Sequence, residues 1–219
     1  MELFQIREKE IFETLKKIKK FDFVVIGGYA VNCYTLPRFS VDCDIVLEDK
    51  SDKFCRELEK LGFNKENARD VDTPYHGSFL RYEKKIKDDF KVSMDILVKE
   101  VLDRQTNATF TAKWVFQNSE FRMLKGKTIT EQLKLRIINP DALVVMKIVA
   151  CRTADIRDVF MIMPQIEDKN WLREEVSKRC NFQNKFIKIR EIVTSKKFKD
   201  NLQGVYGYLD ERIFEKHKK

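Results

Sequence analysis

The chain has few residues of the types that build metal clusters, disulfide frameworks and long linkers. Its 219 residues include two histidines, five cysteines, seven glycines and four prolines. Two histidines, His76 and His217, are too few for a histidine-rich metal site and argue against most Ser-His and Cys-His hydrolases. The cysteine count is odd and no CxxC pair occurs, which argues against a disulfide framework or a zinc ribbon. We therefore expect a reducing, cytoplasmic setting.

Long apolar runs are also missing. No stretch approaches the roughly 18–20 apolar residues that a membrane-spanning helix needs. The first residues, MELFQIREKEIFETLKK, are amphipathic and mixed in charge, unlike a signal peptide. We therefore expect no membrane partner. A hydrophobic content of 43% is enough for the core of one large domain or two small ones.

Positive charge is in excess. The chain has 43 Lys and Arg against 35 Asp and Glu, for a formal net charge of +8. Residues 101–140 contain seven Lys or Arg against three Asp or Glu, and residues 185–219 contain ten against five. This balance favours contact with polyanions, nucleic acid first, although lysine-rich surfaces are often only solvated faces.

Hydrophobic periodicity predicts an α/β (α+β) fold, a mixed sheet flanked by helices and followed by a helical C-terminal half. Asn139-Pro140 marks the break, so we expect a domain over 1–139 and a helical region over 140–219 packed on it. In the first half, helices are expected over about residues 3–20, 29–34 and 51–61, with a polar KDD turn at 87–89. Strands are expected over 21–26, 41–47, 77–86, 90–98, 114–116, 121–124 and 133–138.

Two aspartates lie two residues apart in the apolar strand 41–47. Strand alternation places Asp42 and Asp44 on one face, while Cys43 points to the core. Neighbouring carboxylates repel each other, and a divalent cation between them is the usual solution. Asp95 stands in the middle of a second apolar segment, FKVSMDILV. If the two strands are neighbours, the three carboxylates form a Mg²⁺ (or Mn²⁺) site that can hold a triphosphate.

Other polar residues surround the acidic strand. Gly27 and Gly28 end the 21–26 strand and begin a helix, which lets backbone N–H groups approach an anion closely. Arg38 can hold a phosphate or serve only as a surface cation, and Ser40 shares the face of Asp42. The alternative interpretation of the carboxylates is an exposed edge strand, with Asp95 in a salt bridge.

These motifs resemble the nucleotidyltransferase superfamily, which has the DNA polymerase β-like fold. The superfamily has an apolar residue before Gly-Gly or Gly-Ser, then two carboxylates around an apolar residue, then a third carboxylate on a later strand. Ile26-Gly27-Gly28, Asp42-Cys43-Asp44 and Asp95 match that order. The run GGYAV followed by R-x-S-x-D-x-D is similar to minimal and toxin-type enzymes, including the AbiEii and MenT groups of toxin–antitoxin systems.

The helical half adds to the resemblance. Lys147 lies beside an apolar helix face in PDALVVMKIVACRTADIRDVF, where its amine either reaches a pocket or extends to solvent. If the helix continues, Asp158 lies almost in line with Lys147, and Asp155 lies about 80° away. The segment resembles the K…R-x-x-D-x-x-D stretch of the toxin-type enzymes. The resemblance implies that Lys147 contacts nucleotide phosphates and that Asp158, or its rival Asp155, supports the lysine or the base.

The resemblance implies a nucleotidyltransferase that moves a nucleoside monophosphate from an NTP to a hydroxyl, with release of pyrophosphate. Asp42, Asp44 and Asp95 would hold Mg²⁺ or Mn²⁺, with Asp95 also acting as the base. The phosphate-binding groups would be Gly27, Gly28, Arg38, Ser40 and Lys147. The acceptor would be the 3′ end of an RNA such as tRNA, or a protein hydroxyl, and an antitoxin-like protein is a further expected partner.

Three alternatives compete with this interpretation. One is transfer to a small molecule, as in aminoglycoside nucleotidyltransferases, although the positive net charge disfavours cationic acceptors. Another is a non-catalytic module that binds a nucleotide or a partner protein, which the complete carboxylate set argues against. The last is a basic RNA-binding protein without catalysis, whose RNA affinity would be insensitive to Asp42→Ala.

Overall fold

The computed structural model describes residues 2–66, 76–87, 90–207 and 211–218. The helices and strands found in these ranges follow in chain order. The strands are β1 Val24–Ile26, β2 Asp42–Leu47, β3 Asn64–Lys65, β4 Ser78–Lys87, β5 Phe90–Val98, β6 Glu100–Asp103, β7 Ala108–Thr111, β8 Ser119–Leu124 and β9 Leu133–Ile138. The helices are α1 Glu2–Ile18, α2 Gly27–Val31, α3 Asp52–Lys60, α4 Ala112–Gln117, α5 Pro140–Ala150, α6 Thr153–Ile162, α7 Lys169–Ser177, α8 Phe182–Val193, α9 Lys196–Tyr206 and α10 Glu211–Lys218, with a 3-10 turn at Met163–Gln165.

A seven-stranded mixed sheet forms the centre of the fold. Its strand order is β3-β4-β5-β2-β1-β9-β8, while β6 and β7 form a separate hairpin. The acidic strand β2 pairs parallel to β5 on one side and antiparallel to β1 on the other. The acidic strand is therefore internal to the sheet, which contradicts the edge-strand alternative.

The apolar residues form two clusters. The main cluster contains side chains of α1, the sheet, α5 and α7, so it draws on both sides of residue 139. A smaller cluster joins α6 to the last helices through Ile156, Phe160, Phe198, Leu202 and Phe214. None of the helices in the described ranges has the length and apolar character of a membrane span.

Two local predictions need correction, and a third is only partly covered by the described residues. The segment 114–116 is not a strand but part of α4, because the Thr111 hydroxyl caps the helix by accepting from the Trp114 N–H and Val115 packs in the core. The helix after Pro140 is not continuous, because Cys151 has a φ of 54° and ends α5. Residues 88 and 89 of the expected KDD turn lie outside the described residues. The hairpin β6–β7 and the short strand β3 were not expected.

Candidate active site

The register of β2 and β5 brings the acidic side chains together. Asp44 pairs directly with Asp95, and Asp42 pairs with Ser93. Residues that pair in register, or that lie two apart on one strand, point to the same face of a sheet. Asp42, Asp44 and Asp95 therefore share one face, while Cys43 is completely buried on the other.

The glycine pair lets polar side chains lie against the backbone. Gly27 has a φ of +64°, and a Cβ atom there would overlap the Asp44 carboxylate. A Cβ atom at Gly28 would overlap the Ser40 hydroxyl and lie 3.3 Å from Arg38 Nη2. The two glycines thus make room for Asp44 on one side and for Ser40 and Arg38 on the other.

Arg81 lies among the three carboxylates and was not anticipated from the sequence. It pairs with Asp95 across β4 and β5. Its Nη2 donates to Asp42 Oδ1 at 2.6 Å, and its Nε lies 3.3 Å from Asp95 Oδ1. Ser93 Oγ makes a short hydrogen bond to the same Asp42 oxygen. Only the pairing offset between β4 and β5 identifies Arg81, and that offset is a tertiary property.

Burial and mutual repulsion act on the carboxylates. Burial, followed by the charges of Asp95 and Asp42, raises the pKa of Asp44 to about 7. Burial also raises the pKa of Asp95 to about 6, against the lowering effect of Arg81. One guanidinium therefore compensates only part of the negative charge that the sheet brings together.

The residues present fit a divalent cation. In the described part of the chain, no three His, Cys, Asp or Glu side chains already stand in ligand geometry. However, Asp95 Oδ1 and Arg81 Nε are buried without hydrogen-bond partners, because their 3.3 Å contact lacks hydrogen-bond alignment. An all-carboxylate donor set with an unsatisfied oxygen suits Mg²⁺ or Mn²⁺. Asp42, Asp44 and Asp95 are the residues that would hold the ion.

A second polar cluster centres on Asp158, whose side chain is 1% exposed. Its carboxylate accepts from Arg38 Nε at 2.9 Å and Nη2 at 2.7 Å, and from the Tyr206 hydroxyl at 2.8 Å. Lys147 Nζ lies 2.8 Å from Asp158 Oδ2 and 3.1 Å from Asp155 Oδ1. Burial alone would raise the pKa of Asp158, but the charges of Lys147 and Arg38 outweigh it and lower that pKa.

The break between α5 and α6 produces this geometry. Because the chain turns at Cys151, both Asp155 and Asp158 reach Lys147, which a continuous helix would not allow equally. Asp155 also accepts from the Arg152 N–H at 3.2 Å and so caps α6.

A cavity of about 370 Å³ opens beside the carboxylates. Its polar end includes Gly27, Asp44, Arg81, Asp95 and Lys147, with Asp155 nearby in the lining. The rest of the lining, called the apolar end below, combines apolar side chains with those of Asp103, Arg104 and Arg152; the apolar residues include Phe79, Leu97, Phe110, Leu143 and Met146. Among the described residues, Gly28, Arg38, Ser40, Asp42 and Asp158 do not contribute to the lining.

Comparison with solved structures identifies the fold. The crystal structure of JHP933 from Helicobacter pylori superposes with a TM-score of 0.52 at 15% identity, covering 99% of this chain and 88% of that one. A candidate nucleotidyltransferase from H. pylori superposes with a TM-score of 0.50 at 15% identity, covering 100% and 91%. The lincomycin-bound lincosamide adenylyltransferase LnuA gives 0.48 at 19% identity, covering 71% and 95%.

Comparison of sequences adds no assignment, because no protein-family model and no curated protein matches the chain. At such low identity the structural likeness defines the architecture alone. The chain therefore has a mixed α/β, nucleotidyltransferase-like fold with a helical C-terminal region.

Proposed function

We propose that the protein is an enzyme that transfers a nucleoside monophosphate from an NTP to a hydroxyl acceptor and releases pyrophosphate. One observation carries this proposal: Asp44 and Asp95 pair in register on neighbouring strands, and Asp44 packs against Gly27. The carboxylates therefore lie next to a glycine turn, and together they can bind a triphosphate with its metal ion. The nucleotidyltransferase-like fold supports the same reaction class.

The carboxylates have separate roles in the proposed reaction. Asp42, Asp44 and Asp95 hold Mg²⁺ or Mn²⁺, which, when bound, would neutralise triphosphate charge and stabilise the transition state. Asp95, which lines the cavity, accepts the proton of the attacking hydroxyl. The new bond joins that oxygen to the α-phosphorus, the bond from the α-phosphorus to the β-phosphate oxygen breaks, and pyrophosphate carries away the electron pair.

The cations and the glycine turn act on the leaving group. Five groups bind the β- and γ-phosphates and neutralise the charge that builds up on pyrophosphate: Gly27, Gly28, Arg38, Ser40 and Lys147. Arg38 and Lys147 both contact buried Asp158, so Asp158 orients two phosphate-binding groups as a positioning residue. Asp155 lines the cavity and lies 3.1 Å from Lys147 Nζ, so it is a second carboxylate that positions this phosphate-binding lysine.

The proposed acceptor is a molecule with a reactive hydroxyl. The 3′ end of an RNA such as tRNA, or a protein hydroxyl, is consistent with the net charge of +8. A toxin-type role with an antitoxin-like partner follows from the likeness of R-x-S-x-D-x-D to the AbiEii and MenT groups. Transfer to a small molecule is the second candidate, because the cavity beside Asp95 has an apolar end.

The test is incubation with each α-labelled NTP, Mg²⁺ or Mn²⁺, and total tRNA. We expect label on RNA or on protein with wild type, and none with the double variant Asp42→Ala/Asp44→Ala. Asp49→Asn is the matched control, because Asp49 follows the same strand but is exposed. Metal-dependent NTP binding without transfer would point to a small-molecule acceptor or a binding module. A wild type that binds no NTP would overturn the proposal.

A further inference from the structure

We propose that the apolar end of the cavity is the acceptor subsite. It receives a planar ring that belongs to the molecule carrying the attacking hydroxyl. This inference rests on the proposed function, since it takes Asp95 as the residue that faces the acceptor hydroxyl. The ring belongs either to a free ring-bearing alcohol or to the terminal nucleoside of an RNA chain. Both sources present the same chemistry, a flat apolar ring close to a hydroxyl.

The strands supply one wall of this subsite. Phe79 and Leu97 pair directly, two residues along from the Arg81–Asp95 pair and on the same sheet face. Two residues of extended strand span roughly 7 Å. The apolar wall therefore begins about one ring's width along the sheet from Asp95, which suits a small acceptor whose ring lies next to its hydroxyl.

Helix α5 and the β6–β7 hairpin complete the slot. Leu143 and Met146 of α5 also line the cavity, four residues and one residue before Lys147. Phe110 of β7 closes it, and the Phe110 ring is fixed by Arg179, whose guanidinium carbon lies 4.4 Å from its centroid. A sheet on one side and a helix on the other give a flat space with apolar walls, which suits a planar ring. The Arg104 guanidinium, whose central carbon lies 5.2 Å from the Phe79 ring centroid, also lines this space and can stack on such a ring.

Three of the five proposed phosphate-binding groups lie outside this cavity, whereas Gly27 and Lys147 line it beside the carboxylates. Ser40 and Arg38 pack beside Gly28, and among the described residues none of these three lines the cavity. We therefore place the triphosphate on the Gly28 side of Asp44, with Gly27 and Lys147 at its border with the cavity, and the ring beyond Asp95. In-line transfer needs this arrangement, because the attacking hydroxyl and the leaving pyrophosphate lie on opposite sides of the α-phosphorus.

The size of the cavity restricts the occupant. Its volume of about 370 Å³ is at the lower end of the range for small-ligand sites. One ring system fits this space, whereas a folded RNA or a protein surface does not. If RNA is the acceptor, only its terminal nucleoside enters, and the rest of the RNA stays outside the cavity.

The experiment measures two binding events by calorimetry. Indole-3-ethanol is the ring-bearing alcohol, and a non-hydrolysable ATP analogue with Mn²⁺ is the nucleotide. We expect wild type to bind indole-3-ethanol even when saturated with the nucleotide. Met146→Trp fills the slot from a partly exposed lining position, so it should weaken indole-3-ethanol binding about tenfold or more and leave nucleotide binding within about twofold.

Two further variants secure the result. Leu36→Trp is the matched control, because it adds the same ring at a 52% exposed position outside the cavity lining. Phe79→Ala removes the strand wall without adding volume, and should weaken the same binding if Met146→Trp fails to fold. A single-stranded RNA trimer ending in adenosine separates the two sources: tighter binding than indole-3-ethanol assigns the ring to an RNA end, and weaker binding assigns it to a free alcohol.

Competition between nucleotide and indole-3-ethanol would overturn the inference, because the cavity would then hold the base of the NTP. Loss of nucleotide binding in Met146→Trp with indole-3-ethanol binding intact would overturn it as well. Absence of binding by both ring probes in wild type would have the same consequence. A wild type that binds ring probes but no nucleotide would instead overturn the proposed function, so the two failures are distinguishable.

Discussion

At the scale of single residues, the decisive feature is an unbalanced group of carboxylates. Asp44 and Asp95 pair directly, Asp42 lies next to them, and the Arg81 guanidinium contacts Asp42 and Asp95. Like charges this close raise each other's pKa unless a cation compensates them. The group is therefore a binding site for positive charge before any reaction is considered.

The first prediction concerns pH in the absence of metal. The folded-state pKa of Asp44 is raised to about 7, so its favourable contribution is complete only below the unfolded-state pKa near 3.8 and is lost as pH rises through about 7. We expect the free energy of unfolding, measured in urea, to decline from pH 5 to pH 8 by a few kcal/mol, at roughly 1.4 kcal/mol per pKa unit. Asp44→Asn should flatten this decline, and Asp49→Asn should not.

Added metal should change that profile. Because Mg²⁺ or Mn²⁺ binds the ionised carboxylates, we expect stabilisation by metal to be larger at pH 8 than at pH 5. If the free energy of unfolding without metal declined equally with pH in wild type and Asp44→Asn, the assignment of Asp44 as the carboxylate with the strongly raised pKa would be contradicted.

The second prediction concerns Arg81, which contacts the same carboxylate oxygens that would bind a cation. Arg81→Ala should lower the unfolding temperature without metal, because the carboxylates lose their compensating charge. The same variant should bind Mn²⁺ more tightly, since no guanidinium competes for Asp42 Oδ1 and Asp95 Oδ1. Calorimetry with Mn²⁺ and thermal unfolding with and without Mn²⁺ test both effects.

Arg56→Ala serves as the control for Arg81, because Arg56 is exposed on α3 and should change neither quantity. Weaker Mn²⁺ binding by Arg81→Ala than by wild type would show that Arg81 supports the cation site instead of competing with it.

At the scale of helices and strands, the sequence predicted most of the sheet and the shared face of Asp42 and Asp44. Alternation in 41–47 and 90–98 was sufficient, because both strands carry continuous apolar faces that fix their orientation. The prediction of a strand at 114–116 was wrong, because the Thr111 cap and the burial of Val115 favour a helix despite the strand propensity of Trp, Val and Phe.

The rest of the candidate site could not be predicted because it depends on tertiary pairing. Arg81 joins Asp95 only through the β4–β5 register, and Phe79 becomes part of the cavity in the same way. The bend at Cys151 is equally hidden in sequence, since a cysteine is seldom the residue with positive φ that ends a helix. That bend brings both Asp155 and Asp158 to Lys147.

The third prediction tests how Asp158 connects four segments of the fold. Its carboxylate contacts Arg38 before β2, Lys147 of α5 and Tyr206 of α9. Asp158→Ala leaves two nearly buried cations without this partner, so we expect a loss of about 3–5 kcal/mol in the free energy of unfolding. Tyr206→Phe removes only the neutral hydroxyl that donates to Asp158 and should cost about 1 kcal/mol.

Urea unfolding of both variants gives these values. Similar losses for Asp158→Ala and Tyr206→Phe would contradict the view that the two cations, and not the hydroxyl, make Asp158 essential.

At the scale of the whole molecule, the positive charge bears on the choice of acceptor. Under the proposed function, the net charge of +8 is consistent with an RNA acceptor held through its phosphates, whereas the cavity of about 370 Å³ admits a single ring. The two features are compatible if the phosphates of an RNA contact the excess Lys and Arg side chains and its last nucleoside enters the cavity. If the acceptor is a free alcohol, the positive charge has no role in binding it, and only the cavity selects the acceptor.

The fourth prediction uses salt to separate these cases. Binding of single-stranded RNA should weaken about tenfold or more between roughly 50 and 200 mM KCl, because each phosphate contact releases condensed counterions. Binding of indole-3-ethanol should be nearly unchanged over the same range. An RNA affinity that is insensitive to salt would contradict a role for the excess positive charge in RNA binding.

The position of bond cleavage in the nucleotide tests the central claim most directly. Parallel reactions with α-labelled and γ-labelled NTP, Mg²⁺ and an acceptor follow both ends of the triphosphate. Nucleotidyl transfer predicts α-label on the acceptor and γ-label in pyrophosphate, both lost in Asp44→Asn and retained in Asp49→Asn. Movement of the γ-label to the acceptor, or its release as inorganic phosphate with the α-label left in NDP, would contradict the account.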